Sequence, residues 1–131
     1  MTCRPRFNGI IVFAHGSRVE SANEAVRAVA RDLVRASGCE CVVAAFLELG
    51  QPDLAGAADQ LAAAGVERII IIPYFLILGL HMERDLPRLV EQIVQSHKGL
   101  QIEVTPPLDG HPGLVQILAD RALSVLHSTN P

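Results

Sequence analysis

Arg68-Ile69-Ile70-Ile71-Ile72-Pro73-Tyr74-Phe75 is the most strongly β-biased stretch of this chain. Its apolar residues run continuously instead of alternating, which predicts a strand covered on both faces, as in a parallel sheet. Pro73 lacks a ladder donor and predicts that the regular strand stops near Ile72. Working outward, three further runs share this character: Phe7 to Ala14 (FNGIIVFA), Cys41 to Leu47 (CVVAAFL) and Leu100 to Val104.

A segment of helical period follows each run. The first opens at Ser21, where Ser21 and Glu24 predict a capping box, and carries Val26, Val29, Ala30 and Leu33 to a stop at Gly38. The second places Pro52 in its first turn, followed by Asp53, and ends before Gly65. The third sets Leu86, Leu89, Val90, Ile93 and Val94 on one stripe and runs to Gly99, with Asp85 ahead of Pro87 as a candidate cap. The fourth starts near Pro112. Strand-helix alternation of this kind predicts an α/β domain over residues 1–131. Its core is a four-stranded parallel sheet with right-handed crossovers, flavodoxin-like winding and helices on both faces.

Composition narrows the function. The chain has 131 residues, 50% hydrophobic and 19% charged, with a formal net charge of −3. Aromatic residues make up 4% and there is no basic run, which argues against nucleic acid as a partner. The longest apolar run, Ile69 to Leu80, is too short to cross a bilayer, and the first ten residues lack a secretion signal. The expectation is a soluble cytoplasmic domain without a membrane partner. Cys3, Cys39 and Cys41 are too few for a disulfide scaffold, and Cys39-Glu40-Cys41 reads as a packed, reduced pair.

In a parallel sheet the ligand site lies beyond the carboxyl ends of the strands. His15, Glu48 and His81 each follow a strand and are separated by 33 residues in turn. Two imidazoles and a carboxylate at one edge suit Co²⁺, Ni²⁺, Fe²⁺ or Zn²⁺. Each also has a structural alternative: a hydrogen-bonded loop histidine, or a carboxylate capping the turn near Gly50. Gly16 and Ser17 could cradle an anion, although Ala14-His15-Gly16-Ser17-Arg18 is neither a dinucleotide fingerprint nor a P-loop. Arg18, Arg84 and Arg88 could hold carboxylates in forked hydrogen bonds, or form an ordinary solvated surface. Asp85 could orient His81 instead of capping a helix. His111 falls at the rim or simply punctuates a helix start. His97 and His127 are expected to face solvent at helix ends.

Taken in order, the strand-His15-Gly16-Ser17-Arg18 opening, Phe46-Leu47-Glu48, Gly79-Leu80-His81-Met82-Glu83-Arg84-Asp85-Leu86-Pro87 and Pro107-Leu108-Asp109-Gly110-His111-Pro112 form a specific set. Together they resemble the class II tetrapyrrole chelatases, and within them the short, single-half sirohydrochlorin cobaltochelatases. The likeness spans about Gly9 to Leu126. It implies ATP-independent insertion of a divalent metal, Co²⁺ foremost with Ni²⁺ or Fe²⁺ as alternatives, into a sirohydrochlorin-type tetrapyrrole. The metal is substrate, and no organic cofactor is expected. The resemblance implies His15 and His81 as the catalytic, metal-handling pair, with Glu48 beside them. It further implies a homodimer building one cavity between protomers. Tyr74 departs from the aliphatic or Phe residue usual at its position. Gly16, Ser17, Arg18 and Arg84 are the candidates for receiving the macrocycle's carboxylates. A metal-delivery module on the same histidines and an anion-binding domain on Gly16 to Arg18 are the rival readings.

Overall fold

The computed structural model describes residues 8–128. The chain alternates β1 (Asn8–Ala14), α1 (Glu20–Ser37), β2 (Cys41–Phe46), α2 (Leu54–Ala63), β3 (Arg68–Pro73), α3 (Leu80–Ser96), β4 (Gln101–Val104) and α4 (Pro112–Ser128). The strands form one parallel sheet in the order β2-β1-β3-β4. This is the doubly wound arrangement expected from the sequence. Its order reverses at β1, so ligand chemistry belongs outside the carboxyl ends of β1 and β3.

Alternate residues of the strands feed two cores. One face carries Ile11, Phe13, Ala45, Ile69 and Ile71 against Leu54, Ala57, Ala58 and Leu61 of α2 and Met82, Leu86 and Ile93 of α3. Phe13 meets Phe75 edge-on, with ring centroids 6.2 Å apart. The opposite face carries Val12, Ala14, Ala44 and Phe46 against Val26, Ala30 and Leu33 of α1. Among the described residues the fourth helix covers neither face: no residue of α4 is buried, and it packs substantially against no other described element. The expectation of helices on both faces therefore holds for α1, α2 and α3 only.

Several local expectations are corrected. β3 runs through Pro73 because the proline needs no donor where the ladder ends. α1 is capped by Val19 without a side-chain hydrogen bond, and Glu24 turns to Arg27 and Arg31, so no capping box forms. Asp53 caps α2 by accepting from the Gly56 N–H at 2.8 Å, which puts Pro52 before the helix. Gly79 starts α3, leaving Asp85 inside the helix on Arg88 and Pro87 interrupting its ladder. His97, expected to face solvent, is half-buried and pairs with Asp59 of α2 at 2.7 Å. Cys39 is a free thiol with Sγ near the Asn8 carbonyl, whereas Cys41 is disulfide-bonded, so the two are not a reduced pair. Cys3 and Phe7 lie outside the described residues.

Among the described residues no helix is long and apolar enough to cross a membrane. Ile71, fully buried in the core shared with α2 and α3 on a strand flanked by β1 and β4, is the clearest single support of the larger core. Ile71→Ala is expected to lower unfolding free energy by about 2–5 kcal/mol, read as a reduced urea midpoint with an unchanged denaturant slope.

Candidate functional site

The site grows from a continuation of the β1–β2 ladder. Parallel register pairs Ala14 with Phe46 at the last residues of the two strands. The pairing then persists beyond them: the Leu47 N–H donates to the Ala14 carbonyl at 2.9 Å, and the Glu48 N–H to the His15 carbonyl at 3.0 Å. Backbone hydrogen bonds thus hold the first residues after two different strands side by side. Their side chains meet, with His15 Nε2 2.8 Å from Glu48 Oε2. Both side chains are 56% exposed, which leaves them accessible to a ligand beyond the sheet edge.

Gly16 makes that closeness possible. Its φ is +98°, and a Cβ placed there would lie 1.7 Å from the Glu48 carbonyl oxygen. No L side chain fits, since both the backbone conformation and the space demand glycine. Gly50 is held by the same crowding, since a Cβ there would stand 2.9 Å from the Phe46 ring.

Asn23 ties the two loops together. It is the one buried polar residue among those described, 1% exposed. Its Oδ1 accepts from the Ser17 N–H at 2.9 Å, while Nδ2 donates to the carbonyls of Ser17 at 2.9 Å and Leu49 at 2.8 Å. Leu49 takes φ of +59°, a conformation rarely adopted by a leucine, and its carbonyl is captured by that amide. Arg27 adds an outer brace. It donates to the Gln51 carbonyl, lies over the Phe46 ring at 5.1 Å and bonds Glu20 at 2.6 Å. The Arg27 hydrogen bond holds the Glu20 carboxyl below its ordinary range, with Asn23 contributing.

Sequence reading did not single out Asn23, although a signal was present. Positions 23, 26, 30 and 33 form one helical stripe whose other members pack in the core. A polar residue in a core slot of that kind must find partners, and here it finds the site loops.

The other candidates fall into distinct groups. His81 is exposed in the first turn of α3, beyond the end of β3, while its neighbour Met82 points into the core. It shares the sheet edge with His15 and Glu48. Among the described residues, however, no three His, Cys, Asp or Glu side chains come close enough to hold a metal ion. The structure therefore brings His15 and Glu48 together and leaves His81 apart from them.

Ser17 is committed to its own loop: Asn23 engages its N–H, and its hydroxyl accepts from the Val19 N–H at 3.0 Å. With Glu20 also in the first turn of α1, this helix start is poorly suited to a second anion. Arg18 and Arg84 are exposed and make no ion pair among the described residues, whereas Arg88 bonds Asp85. Asp85 therefore does not orient His81. His111 Nδ1 accepts from the Gly113 N–H at 2.8 Å, which makes it punctuation for α4.

Removing the Asn23 amide leaves the Ser17 N–H and the Leu49 carbonyl without their partner in a half-buried setting. Asn23→Ala is expected to cost on the order of 2–3 kcal/mol in unfolding free energy. Asn23→Asp should be comparably damaging, because a carboxylate cannot donate to the two carbonyls and faces Glu20. Urea unfolding of both variants checks this.

Comparison with known proteins sets this geometry in a family. The CbiX family model matches residues 9–125. The sirohydrochlorin cobaltochelatase of Sulfurisphaera tokodaii is 31% identical, with 92% of this chain and 96% of that protein aligned. The enzyme of the same name from Methanothermobacter thermautotrophicus is 29% identical, over 90% and 92%. A chloroplastic sirohydrochlorin ferrochelatase of Arabidopsis thaliana is 29% identical over 87% of this chain and 51% of its own length. Among solved structures, a putative cobalamin biosynthesis CbiX protein from Marinobacter aquaeolei superposes with a TM-score of 0.81 at 28% identity, covering 93% and 99%. The sirohydrochlorin chelatase SirB of Bacillus subtilis, in complex with cobalt, shares the fold at a TM-score of 0.79 and 21% identity. There the alignment covers 90% of this chain and 50% of SirB. With four-fifths or more of its length matched by the family model and by full-length relatives, and with the same four-stranded fold, this chain belongs to the CbiX family.

Proposed function

We propose that this chain inserts a divalent metal ion, Co²⁺ foremost, into a sirohydrochlorin-type macrocycle without ATP. The observation that carries the reading is the exposed His15–Glu48 pair, 2.8 Å apart at the carboxyl edge of the sheet, in a chain of the CbiX family. Relatives named for cobalt and for iron are both similar to it. Fe²⁺ is therefore the first competing metal on the same site, and Ni²⁺ the second on donor chemistry alone.

Insertion exchanges two pyrrole N–H protons for one divalent cation, so the site must strip water from the ion and accept two protons. Neutral imidazole can do both near neutral pH. When the Nε2–H of His15 donates to Glu48, Nδ1 carries the lone pair, and the carboxylate fixes ring and tautomer together. The protonated imidazolium formed by taking a pyrrole proton is stabilised by that carboxylate. His81, standing apart at the same edge, would act on the ion or on the second proton from another point around the ring. Such a division needs no cage of three protein donors, because the macrocycle supplies the ion's final nitrogen ligands. Arg18 and Arg84 are suited to the macrocycle's peripheral carboxylates. Gly16 and Ser17 act on substrate indirectly, by shaping the loop that presents His15. Leu76, Ile77 and Leu80, all exposed beside His81, offer an apolar wall for a flat ring. The open site and the half-length relation to SirB support a homodimer with the cavity between protomers.

Spectrophotometric assay of Co²⁺ insertion under anaerobic, reducing conditions tests the reading. His15→Ala and His81→Ala should each slow insertion by about 10²–10⁴-fold, and Glu48→Gln by about 10–100-fold. Unchanged rates in both histidine variants would overturn the assignment. Metal binding without acceleration over the uncatalysed reaction would point instead to a delivery module. Competition among Co²⁺, Ni²⁺ and Fe²⁺ ranks the metals.

A further inference from the structure

Two residues beside the His15–Glu48 pair suit their own backbone badly, and asparagine would suit both positions better. Val19 holds the N-cap of α1, and its side chain makes no cap hydrogen bond. Helix starts favour Ser, Thr, Asp or Asn, whose oxygens accept from the free N–H groups, and valine ranks among the poorest caps. Leu49 holds a left-handed backbone at φ +59°. That conformation is open to glycine and otherwise chiefly to Asn and Asp.

Burial does not explain either choice. Val19 is 60% exposed and Leu49 is 50% exposed, and neither belongs to the two cores. A large apolar side chain that sits poorly on its backbone and stays in water gains little from the folded chain alone. Local rules are broken in this way where a site makes use of the side chain.

The two residues are also held to one another. Asn23 Nδ2 donates to the carbonyls of Leu49 and Ser17, and the Ser17 hydroxyl accepts from the Val19 N–H. One buried amide thus fixes the loop after β2 against the start of α1. Because α1 packs on β2 and β1, Val19 and Leu49 stand on the β2 side of His15. Leu76, Ile77 and Leu80 follow β3 and stand on its other side. Each apolar group has an exposed arginine that makes no ion pair among the described residues: Arg18 precedes Val19, and Arg84 lies one turn beyond Leu80. Apolar surface on two flanks, with a cation at each, complements a flat apolar ring that carries carboxylates at its rim.

We propose that Val19 and Leu49 are specificity-determining residues that contact the macrocycle's ring across the site from Leu76, Ile77 and Leu80. The proposal rests on the chelatase reading, since the ring is that reaction's substrate. An apolar contact with the ring is alike before and during metal entry. It therefore sets affinity for the macrocycle and leaves the insertion step itself unaltered.

Val19→Asn and Leu49→Asn separate this role from a structural one, because each supplies the residue its backbone favours. Both variants should unfold at a urea midpoint equal to or above that of the unaltered chain. Each should raise the KM for sirohydrochlorin by about tenfold, with kcat and the KM for Co²⁺ little changed. Leu49→Met keeps the apolar bulk and should retain the original KM. Absorbance titration with metal-free sirohydrochlorin should show the same weakening in the asparagine variants without any turnover.

Unchanged KM and affinity in both asparagine variants would overturn the inference and leave the chelatase reading standing. A fall in kcat at constant KM would overturn it too, by making the two residues part of the loop geometry around His15. Loss of folding in the asparagine variants would assign the side chains to the core, with the same result. If the unaltered chain neither binds nor metallates sirohydrochlorin, the chelatase reading fails and this inference falls with it.

Discussion

Two backbone hydrogen bonds past the ends of β1 and β2 hold together the His15–Glu48 pair to which we assign the chemistry. They carry parallel pairing from Ala14 and Phe46 out to His15 and Glu48. A loop ordinarily begins where the ladder stops, and its side chains diverge. Here the divergence is delayed by two residues, long enough to make a contact between groups distant in sequence. Gly16 permits it sterically and Asn23 fastens it from below. The hydrogen-bonded His15–Glu48 pair at the surface therefore inherits its geometry from sheet register, a far stiffer constraint than two exposed side chains could supply.

Stability and function are separated spatially within this frame. The two cores are apolar and continuous, and every buried side-chain nitrogen or oxygen among the described residues has a partner. The single buried polar side chain sits at the site edge of α1. Its four hydrogen bonds serve the loops more than the helix that carries it. A core slot has been given over to positioning, and the apolar burial that position could have contributed is absent.

Much of this was legible in the sequence, for definite reasons. A continuous apolar run such as that from Ile69 to Pro73 reads as a strand of a parallel sheet, so the sheet and the edge at which its carboxyl ends lie followed from pattern, although Ile70 and Ile72 stay half-buried on the α1 side. His15 and Glu48 could be placed at one edge by topology, but not in contact, because contact depends on how far pairing outlasts each strand. Helix starts were less readable. Ser21 and Glu24 have the capping-box spacing, yet Glu24 is drawn to Arg27 and Arg31 and Val19 takes the cap position. His97 looked like a solvent-facing helix end because its partner, Asp59, lies on another helix. Where α4 lies is a tertiary property, and no local periodicity encodes it.

Pro87 gives α3 an uneven stiffness along its length. It cannot supply the N–H that would close a ladder bond to the Glu83 carbonyl, and its ring crowds that carbonyl. Beyond it, Ile93 anchors the later turns in the core; before it, Met82 and Leu86 give the opening turns their own hold. The helix is thus two short levers joined at a weak point, and bending is easiest at that point. The forward lever bears His81 and Arg84, so their placement rests on the core contacts of Met82 and Leu86 more than on the helix behind them.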